Sequence, residues 1–411
     1  MNFGAIAQTR LSEIAKCSQP GGGVTRLPFT PEHKAALNHI RDWMTAAGLH
    51  QRMDAASTLI GRHDGPEGSK TLLIGSHQDS VPNGGRYDGI MGVVLACLAL
   101  EKLKREGAKP GCSVEVLAFA DEEGVRFPTA LLGPRALAGT YEKSALSLED
   151  SEGVALGTAL ASFGGDPARL DSLARAPSEV LGYLEAHIEQ GPVLEGQDAA
   201  LGVVTGICGI ERNSLRFVGE TGHAGTVPMA DRRDALVAAS RFVSATSDLA
   251  RETHSIRATV GSLLVHPNAV NAIPDTTAFS LEIRSVSDGE RQSFARQMRV
   301  FGTQIAQDSG LTFEMTKTYE QPAVACDPAL SDALAKAVEQ SGQRLVKLPS
   351  GATHDASAMS DLCPIAMLFV RCKNGLSHHP DEYASAADMG AAVNAIAGFL
   401  TSSPIRTPPE I

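Results

Sequence analysis

Residues 71–100 read TLLIGSHQDSVPNGGRYDGIMGVVLACLAL. The apolar run at 71–75 has the length of a short buried strand, and residues 89–100 continue an apolar pattern for several helical turns. The polar residues between the two runs, which include His77 and Asp88, therefore occupy a strand-to-helix connection. Because ligands bind at such connections in open α/β sheets, the stretch predicts an α/β fold with a ligand site at this turn.

Length and charge limit the class of protein. A chain of 411 residues is too long for one ordinary core, so at least two domains are expected. With 47 acidic and 36 basic residues the net charge is −11, which argues against nucleic acid or an anionic membrane surface as the main partner. The longest apolar run, residues 90–100, is well short of the ~20 residues that span a bilayer, so no membrane segment is predicted.

The amino terminus and the cysteines indicate a cytoplasmic protein. Residues 1–17 contain Glu13 and lack a basic start followed by an uninterrupted apolar block, so a secretory signal is not expected. The seven cysteines form no CxxC pair, and they are expected to be reduced and mostly buried thiols.

The order of the predicted elements changes along the chain. Residues 1–60 are predicted to be helical, with one helix at 31–47, and residues 71–175 alternate strands and helices as the βαβ units of a mostly parallel sheet do. After residue 208 the elements follow the order β-α-β-β-α-β of the ferredoxin-like fold. The predicted strands of this part are 210–218, 256–265, 278–283 and 311–317, and its predicted helices are 232–251 and 289–308.

This change predicts that one domain is inserted into another. The first domain comprises residues 1–208 and 324–411, and the inserted α+β domain comprises residues 209–323. The apolar run at 365–370 supports the return to the first domain, because a parallel strand that is buried on both faces has such a composition.

Five imidazole and carboxylate side chains are candidate metal ligands, and four of them follow a predicted strand or end it. They are His77, Asp88, Glu123, His187 and His378. Imidazoles with carboxylates suit zinc, manganese, cobalt or nickel, and a bridging carboxylate would hold two ions ~3.5–4 Å apart. Asp88 has a second interpretation as the N-cap of the helix that follows it.

Two adjacent acids after a predicted strand are expected to have different roles. On a regular strand the side chains of Glu122 and Glu123 point to opposite faces, so both are not expected to be ligands. We therefore predict that Glu123 binds metal and that Glu122 takes a proton from water and returns it to a leaving nitrogen.

Further polar residues are candidates for substrate contacts. His223, among glycines and alanines, is placed to stabilise an oxyanion or is structural. Arg284 would clamp a carboxylate in a bidentate pair, or form an ordinary surface ion pair. The remaining candidates are Asn271 in AVNAIP and Gly351 and His354 in GATHDAS.

Seven motifs of the chain resemble those of one family. They are GSHQDSVPNGGRYDG, FADEEGVRF, AHIEQGPVLE, TGHAGTVPM, VNAIPD, GATHDAS and NGLSHHPDE. The resemblance is to N-carbamoyl-L-amino acid hydrolases, β-ureidopropionases and allantoate amidohydrolases, and it covers residues of about 70 to 385. That family is similar in fold to dinuclear zinc aminopeptidases, with a mostly parallel-sheet catalytic domain interrupted by a ferredoxin-like lid and dimerisation domain.

The resemblance implies roles for the candidate residues. The five candidate ligands hold two divalent ions per subunit with Asp88 as the bridge, and His378 rather than its neighbour His379 is the last ligand. Glu122 is the general base, and Asp79 orients His77. His223 reaches into the site of the partner subunit of a homodimer. The residues that contact substrate are Gln190, Asn271, Arg284, Gly351 and, by position, His354.

These residues together predict a hydrolase of non-peptide C–N bonds in linear amides. The expected substrate is an N-carbamoyl-L-amino acid, a small ureido compound with a carboxylate, which is cleaved to amino acid, carbon dioxide and ammonia. The first alternative is an allantoate amidohydrolase, and an aminoacylase or a peptidase comes next. A non-catalytic small-molecule binding protein is the alternative from another class.

Overall fold

A computed structural model of the protein describes residues 1–402. The chain forms two compact units, one made of Met1–Thr205 with the chain from Cys326 onward, and the other made of Gly206–Ala325. The boundaries predicted from sequence are at 208 and 324, and the assignment of the two parts as a catalytic domain and a lid and dimerisation domain stays a prediction.

The first unit contains most of the elements. Its helices are α1 (Phe3–Ile14), α2 (Pro31–Ala47), α3 (Ile90–Arg105), α4 (Leu132–Ala138), α5 (Leu156–Phe163), α6 (Val193–Gly196), α9 (Pro328–Gln340), α10 (Asp355–Met359) and α11 (Ala386–Leu400). Its strands are β1 (His50–Met53), β2 (Leu59–His63), β3 (Thr71–His77), β4 (Ser113–Phe119), β5 (Val180–Ile188), β6 (Leu201–Ile207), whose last two residues belong to the second unit, β13 (Lys347–Ser350) and β14 (Ile365–Val370).

The sheet of the first unit is parallel at its centre and antiparallel at its edges. The strand order is β1-β2-β4-β3-β5-β14-β6, and β13 also pairs with β6. The β4-β3, β3-β5 and β5-β14 pairs are parallel, whereas β1, β2 and β6 run antiparallel to their neighbours. The carboxyl ends of the central strands therefore meet at one edge, and this edge is where polar side chains from different strands come together.

Helix α3 forms the centre of the core on one face of this sheet. Every residue from Ile90 to Glu101 is buried, and its residues pack against β3, β5 and the helices α1, α2 and α11. A helix that is apolar all round is buried all round. Strand β3 is likewise buried along its whole length, so the loop that joins it to α3 is anchored at both ends.

The second unit has the predicted ferredoxin-like order. Its elements are β7 (Gly209–Val218), α7 (Ala235–Glu252), β8 (Arg257–Thr259), β9 (Leu263–His266), β10 (Thr276–Ser285), α8 (Asp288–Ser309), β11 (Thr312–Gln321) and the short β12 (Val324–Ala325). The sheet has the order β11-β7-β10-β8, with β9 also on β10, and all its pairs are antiparallel. Apolar side chains of α7 and α8 pack with those of the sheet in one cluster.

Three expectations about elements require correction. The single strand predicted at 256–265 is two strands, β8 and β9, because the chain leaves the ladder around Gly261, where a glycine weakens a strand. The helix predicted from 232 begins at Ala235, since the Asp234 side chain accepts hydrogen bonds from two backbone amides of the first turn. Residues 1–60 are not only helical, because β1 and the start of β2 lie within them.

Other expectations agree with the structure. Helix α2 has the predicted bounds, with Thr30 as its N-cap and Gly48 in the left-handed conformation at its end. All seven cysteines are unpaired, and six of them are buried. Within residues 1–402, no helix combines the length and the apolar composition that crossing a membrane requires.

Candidate metal centre

The loop between β3 and α3 and the end of β5 deliver three of the predicted ligands. His77 is the last residue of β3, and His187 is the last but one of β5, so the two imidazoles lie at the carboxyl ends of neighbouring parallel strands. Asp88 precedes α3, but it is not the N-cap. That position belongs to Gly89, whose φ is +63°, and no side chain caps the helix. The interpretation of Asp88 as a helix cap is therefore wrong, because its carboxylate is turned toward the histidines.

The buried Asp88 carboxylate lies among three imidazoles. Its Oδ1 is 3.0 Å from Nε2 of His187 and 3.5 Å from Nε2 of His77, and its Oδ2 is 3.3 Å from Nε2 of His378. The neighbouring His379 instead accepts a hydrogen bond from the backbone of Asp381 through Nδ1. The structure thus brings His378, and not His379, to the Asp88 carboxylate.

The contacts of Nδ1 in His77 and His187 determine which ring nitrogen faces Asp88. Nδ1 of His77 lies 3.1 Å from the carbonyl oxygen of Asp79, and Nδ1 of His187 lies 2.9 Å from that of Ile188. A carbonyl only accepts, so each Nδ1 carries a proton, and each Nε2 has a lone pair available to a metal ion when the ring is neutral. The backbone N–H of Gly89, which donates to Nε2 of His187 at 3.2 Å, agrees with this assignment.

An imidazole Nε2 that faces a carboxylate needs positive charge, which comes either from protonation of the ring, favoured because Asp79 and Asp88 raise the pKa of His77 against its burial, or from a cation between the two groups. Two groups of potential ligands overlap at Asp88, since His77, Asp88 and His187 form one, and Asp88, Glu123 and His378 form the other. In each group the ligand atoms lie within 4.8 Å of one another. Imidazole nitrogens and carboxylate oxygens are the donors that zinc and similar divalent ions take, so this donor set fits two ions with Asp88 between them.

Glu122 and Glu123 lie on the same side of the chain. Strand β4 ends at Phe119, three residues before them, so the alternation of a strand does not apply and the expectation of opposite faces is wrong. Both acids have carboxylate oxygens grouped with a ring nitrogen of His77, and Oε2 of Glu123 is 3.8 Å from Nε2 of His378. The Asp79 carboxylate causes this turn, because it accepts hydrogen bonds from the backbone amides of both glutamates.

Burial and the crowding of negative charge shift the pKa values of the acids in this cluster. Burial and the charge of Asp88 raise the pKa of Glu123 to about 7, although His77 opposes the shift. Burial raises the pKa of Glu122 well above its usual value, and the charge of Glu123 adds to this. Asp88 differs, because the histidines around it outweigh its burial and hold its pKa well below the usual value. Ionised glutamates at this site therefore need additional positive charge.

Two predicted substrate residues of the first unit contact this cluster directly. Gln190 has a φ of +56°, and its Nε2 donates to Oδ2 of Asp88 at 2.9 Å. His354 is 1% exposed, its ring centroid is 4.6 Å from that of His187, and its Nε2 is 2.8 Å from Oγ of Ser350. Burial lowers the pKa of His354 well below its usual value, so the ring is neutral. Gly351 is exposed and lies three residues before it.

The remaining predicted residues belong to the second unit. The exposed His223 forms a β-bridge with Ala272, and the backbone amide of the residue that follows it donates to the carbonyl of Asn271, so these two candidates are neighbours. Arg284 is the last but one residue of β10, and its Nε donates to Oε1 of Glu282 at 2.7 Å. The ion pair weighed as an alternative for Arg284 is thus present, and a role in substrate binding stays a prediction.

Three polar residues of this region, two of them buried, were not predicted from sequence. Glu185 accepts hydrogen bonds from the Ser76 hydroxyl and from the backbone amide that follows Asp355. Ser377 and Glu382 lie on either side of His378 and contact the Asp88 turn. The position of Glu185 two residues before His187 in a strand, on the same face, was the signal that could have identified it.

Comparison with known proteins shows the family. Residues 73–402 match peptidase family M20/M25/M40, and the chain belongs to that family. It is 39% identical over 386 residues to the N-carbamoyl-L-amino acid amidohydrolase of Geobacillus stearothermophilus, an alignment of 93% of this chain and 94% of the relative. It is 36% identical over 428 residues to the allantoate deiminase of Arabidopsis thaliana, with 96% of this chain and 82% of the relative covered.

A solved structure shares the whole fold. The amidase of the hydantoinase/carbamoylase family from Burkholderia multivorans is 32% identical, with a TM-score of 0.92 over 98% of each chain. The predicted fold class and the predicted resemblance to carbamoyl amidohydrolases are therefore confirmed.

The close approach of the His77 ring to Gly89 can be tested by substitution. A Cβ atom at Gly89 would lie 2.3 Å from Cε1 of His77, whereas one at Gly153, which also has a positive φ, would meet nothing within 4 Å. Gly153→Ala should therefore lower the free energy of unfolding by only ~1 kcal/mol, because alanine is less favourable than glycine in this backbone conformation. Gly89→Ala should lose more stability in urea unfolding and should shift the ring resonances of His77. Equal losses with unchanged resonances would contradict this close contact.

Proposed function

We propose that the protein is a metal-dependent amidohydrolase that cleaves the ureido C–N bond of N-carbamoyl-L-amino acids. The observation that carries the proposal is the pair of potential ligand groups that share Asp88, with the Glu122 carboxylate beside them. Similarity to an N-carbamoyl-L-amino acid amidohydrolase over 93% of this chain supports the choice of substrate class. The products would be an amino acid, carbon dioxide and ammonia.

Two divalent ions per subunit belong to this proposal. Zinc, manganese, cobalt and nickel all suit the donor set, which comprises His77, Asp88, Glu123, His187 and His378. When bound, the ions would lower the pKa of a water molecule toward ~7 and polarise the ureido carbonyl. Their positive charge would also keep the buried glutamates ionised at neutral pH.

Glu122 is proposed as the general base and acid. Its Oε2 is 4.0 Å from Nε2 of His77, so the carboxylate lies next to the proposed ligands. Asp79 fixes the position of Glu122 through the backbone amide, which leaves the side chain able to take a proton from water and deliver it to the leaving nitrogen.

Roles in substrate recognition are proposed for the remaining predicted residues. Arg284 would bind the α-carboxylate, which orients the substrate and disfavours neutral ureas, and Asn271 would assist it. His223 would stabilise the oxyanion in the site of the partner subunit of a homodimer. In the first unit, Gln190, Gly351 and His354 would complete the pocket. A cytoplasmic location is proposed as well, and the unpaired cysteines support it.

Allantoate is the second candidate substrate. The specific observation in its favour is the 36% identity to an allantoate deiminase over 96% of this chain. Allantoate also carries ureido groups and a carboxylate, so the same residues would serve. An aminoacylase, a peptidase and a non-catalytic binding protein are weaker alternatives that the same assay tests.

The deciding experiment measures ammonia release from a panel of substrates. The panel contains N-carbamoyl-L-alanine, its D enantiomer, allantoate, an N-acetyl amino acid and a dipeptide, each assayed for amino acid as well as ammonia. We expect turnover of the L-carbamoyl compound, loss of activity with chelator and recovery with zinc, manganese or cobalt. Release of ammonia from allantoate alone would assign the second candidate, and no release from any ureido compound would overturn the proposal.

The two adjacent glutamates should separate chemistry from metal binding. Glu122→Gln should retain the wild-type metal content and lose about 10²–10⁴-fold in kcat, because it removes the proton acceptor. Glu123→Gln should lose metal affinity as well as turnover. Elemental analysis after dialysis and steady-state kinetics measure both effects. A Glu122→Gln enzyme with near wild-type kcat would disprove the role of this residue.

Mixed dimers can test where His223 acts. Glu122→Gln and His223→Ala subunits should each be inactive alone, but a co-expressed mixed dimer contains one intact site if His223 serves the partner. Random pairing should restore about a quarter of wild-type activity. Activity that stays at the level of two inactive single variants would place His223 in the site of its own subunit, and a His223→Ala variant that is active alone would place it outside catalysis.

A further inference from the structure

Glu382 is a buried carboxylate that contacts the turn carrying Asp88. It lies four residues after His378, is 2% exposed, and accepts hydrogen bonds at Oε1 from the backbone amides of Tyr87 at 2.9 Å and Asp88 at 3.1 Å. Close packing accompanies these bonds, because a Cβ atom at Gly85 would lie 2.1 Å from the same oxygen. A side chain that is distant in sequence therefore holds the backbone of the Asp88 turn.

The Ser377 hydroxyl links the same carboxylate to the Asp88 side chain. Its Oγ lies 2.9 Å from Oε2 of Glu382 and 3.0 Å from Oδ2 of Asp88. A hydroxyl has one proton, so it donates to only one of the two carboxylates at a time. Gln190 donates to Oδ2 of Asp88 at 2.9 Å and to Oγ of Ser377 at 3.2 Å, so the arrangement that gives both carboxylate oxygens a donor sends the Ser377 proton to Oε2 of Glu382.

The consistent arrangement is a chain of donors that ends on Glu382. Gln190 donates to Asp88 and Ser377, and Ser377 donates to Glu382. Glu382 then accepts three hydrogen bonds, one from Ser377 and two from the Asp88 turn. The network connects the chain segment of His378 to that of Asp88.

We propose that Glu382 is a positioning residue of the metal centre. It keeps the Asp88 carboxylate and the His378 imidazole at the separation that a shared ion needs, and it acts through Ser377 and the backbone without contacting the ion. This inference rests on the proposed metal-dependent function. Side chains that orient metal ligands typically change metal affinity by about 10–100-fold when they are removed.

A purely structural role makes a different prediction. A buried carboxylate that only ties two loops together would contribute to folding stability and leave the affinity for metal unchanged. Asp54 provides the matched control, because it is 7% exposed and accepts hydrogen bonds at one oxygen from the backbone amides of Ala56 at 2.9 Å and Thr58 at 2.8 Å. It has no contact with any of the five proposed ligands among its hydrogen bonds in the described chain.

The test compares the affinity for Co²⁺ of the whole protein and its variants by competition with a chelator, together with the visible spectrum of the bound ion. Glu382→Ala should bind Co²⁺ about 10–100-fold more weakly and show an altered spectrum. Glu382→Gln should recover most of the affinity, because its amide oxygen still accepts from the Asp88 turn. Asp54→Ala should lose stability in urea unfolding with wild-type affinity and spectrum.

The outcomes separate this inference from the proposed function. A wild-type protein that binds no Co²⁺, Zn²⁺ or Mn²⁺ would overturn both. A wild-type protein that binds metal while Glu382→Ala keeps its affinity and spectrum would overturn the positioning role alone. If Glu382→Ala does not fold, Ser377→Ala replaces it, since removal of the hydroxyl leaves the two carboxylates facing each other, and unchanged affinity in that variant would equally overturn the inference.

Discussion

The Asp88 carboxylate is the constraint on which the surrounding structure depends. A carboxylate that is 6% exposed is costly unless positive charge and hydrogen bonds compensate for its burial. Three imidazoles surround it, and two of them direct Nε2 toward it because their other nitrogens donate to backbone carbonyls. A proton on these rings, or a cation between these groups, supplies the compensating positive charge. The parallel centre of the sheet brings the two imidazoles together, since His77 and His187 come from the ends of adjacent strands.

Carboxylates outside this cluster hold backbone turns in place. Asp79 accepts the amides of Glu122 and Glu123, and Glu382 accepts those of Tyr87 and Asp88. Both acids thereby fix residues from a distant part of the sequence. Such bonds are strong because the acceptor is charged, and they leave the held side chains available for other contacts. A carboxylate that accepts two backbone amide hydrogen bonds thus occurs twice around the candidate metal centre.

Regular elements with strong local signals were predictable from sequence. The bounds of α2 follow from its threonine cap, its proline at the first position and its terminal glycine, and β14 follows from a continuous apolar run. Strands β1 and β8 were missed or merged with a neighbour, because HQRM and RAT contain almost no apolar residues. Their position at the edge of a sheet depends on pairing with β2 and β10, and pairing is not a local property of the sequence.

The sequence by itself determined which side chains would meet at the edge of the sheet, because parallel strands bring their carboxyl ends together and His77 and His187 end such strands. Only the tertiary structure decided how those side chains are oriented. It turned Asp88 from a possible helix cap toward the imidazoles and placed Glu122 and Glu123 on one side, and its position for His378 agrees with the choice over His379 that the resemblance implied. The reason is that these orientations depend on hydrogen bonds that the Asp79 and Glu382 carboxylates accept from backbone amides 43 or more residues away along the chain.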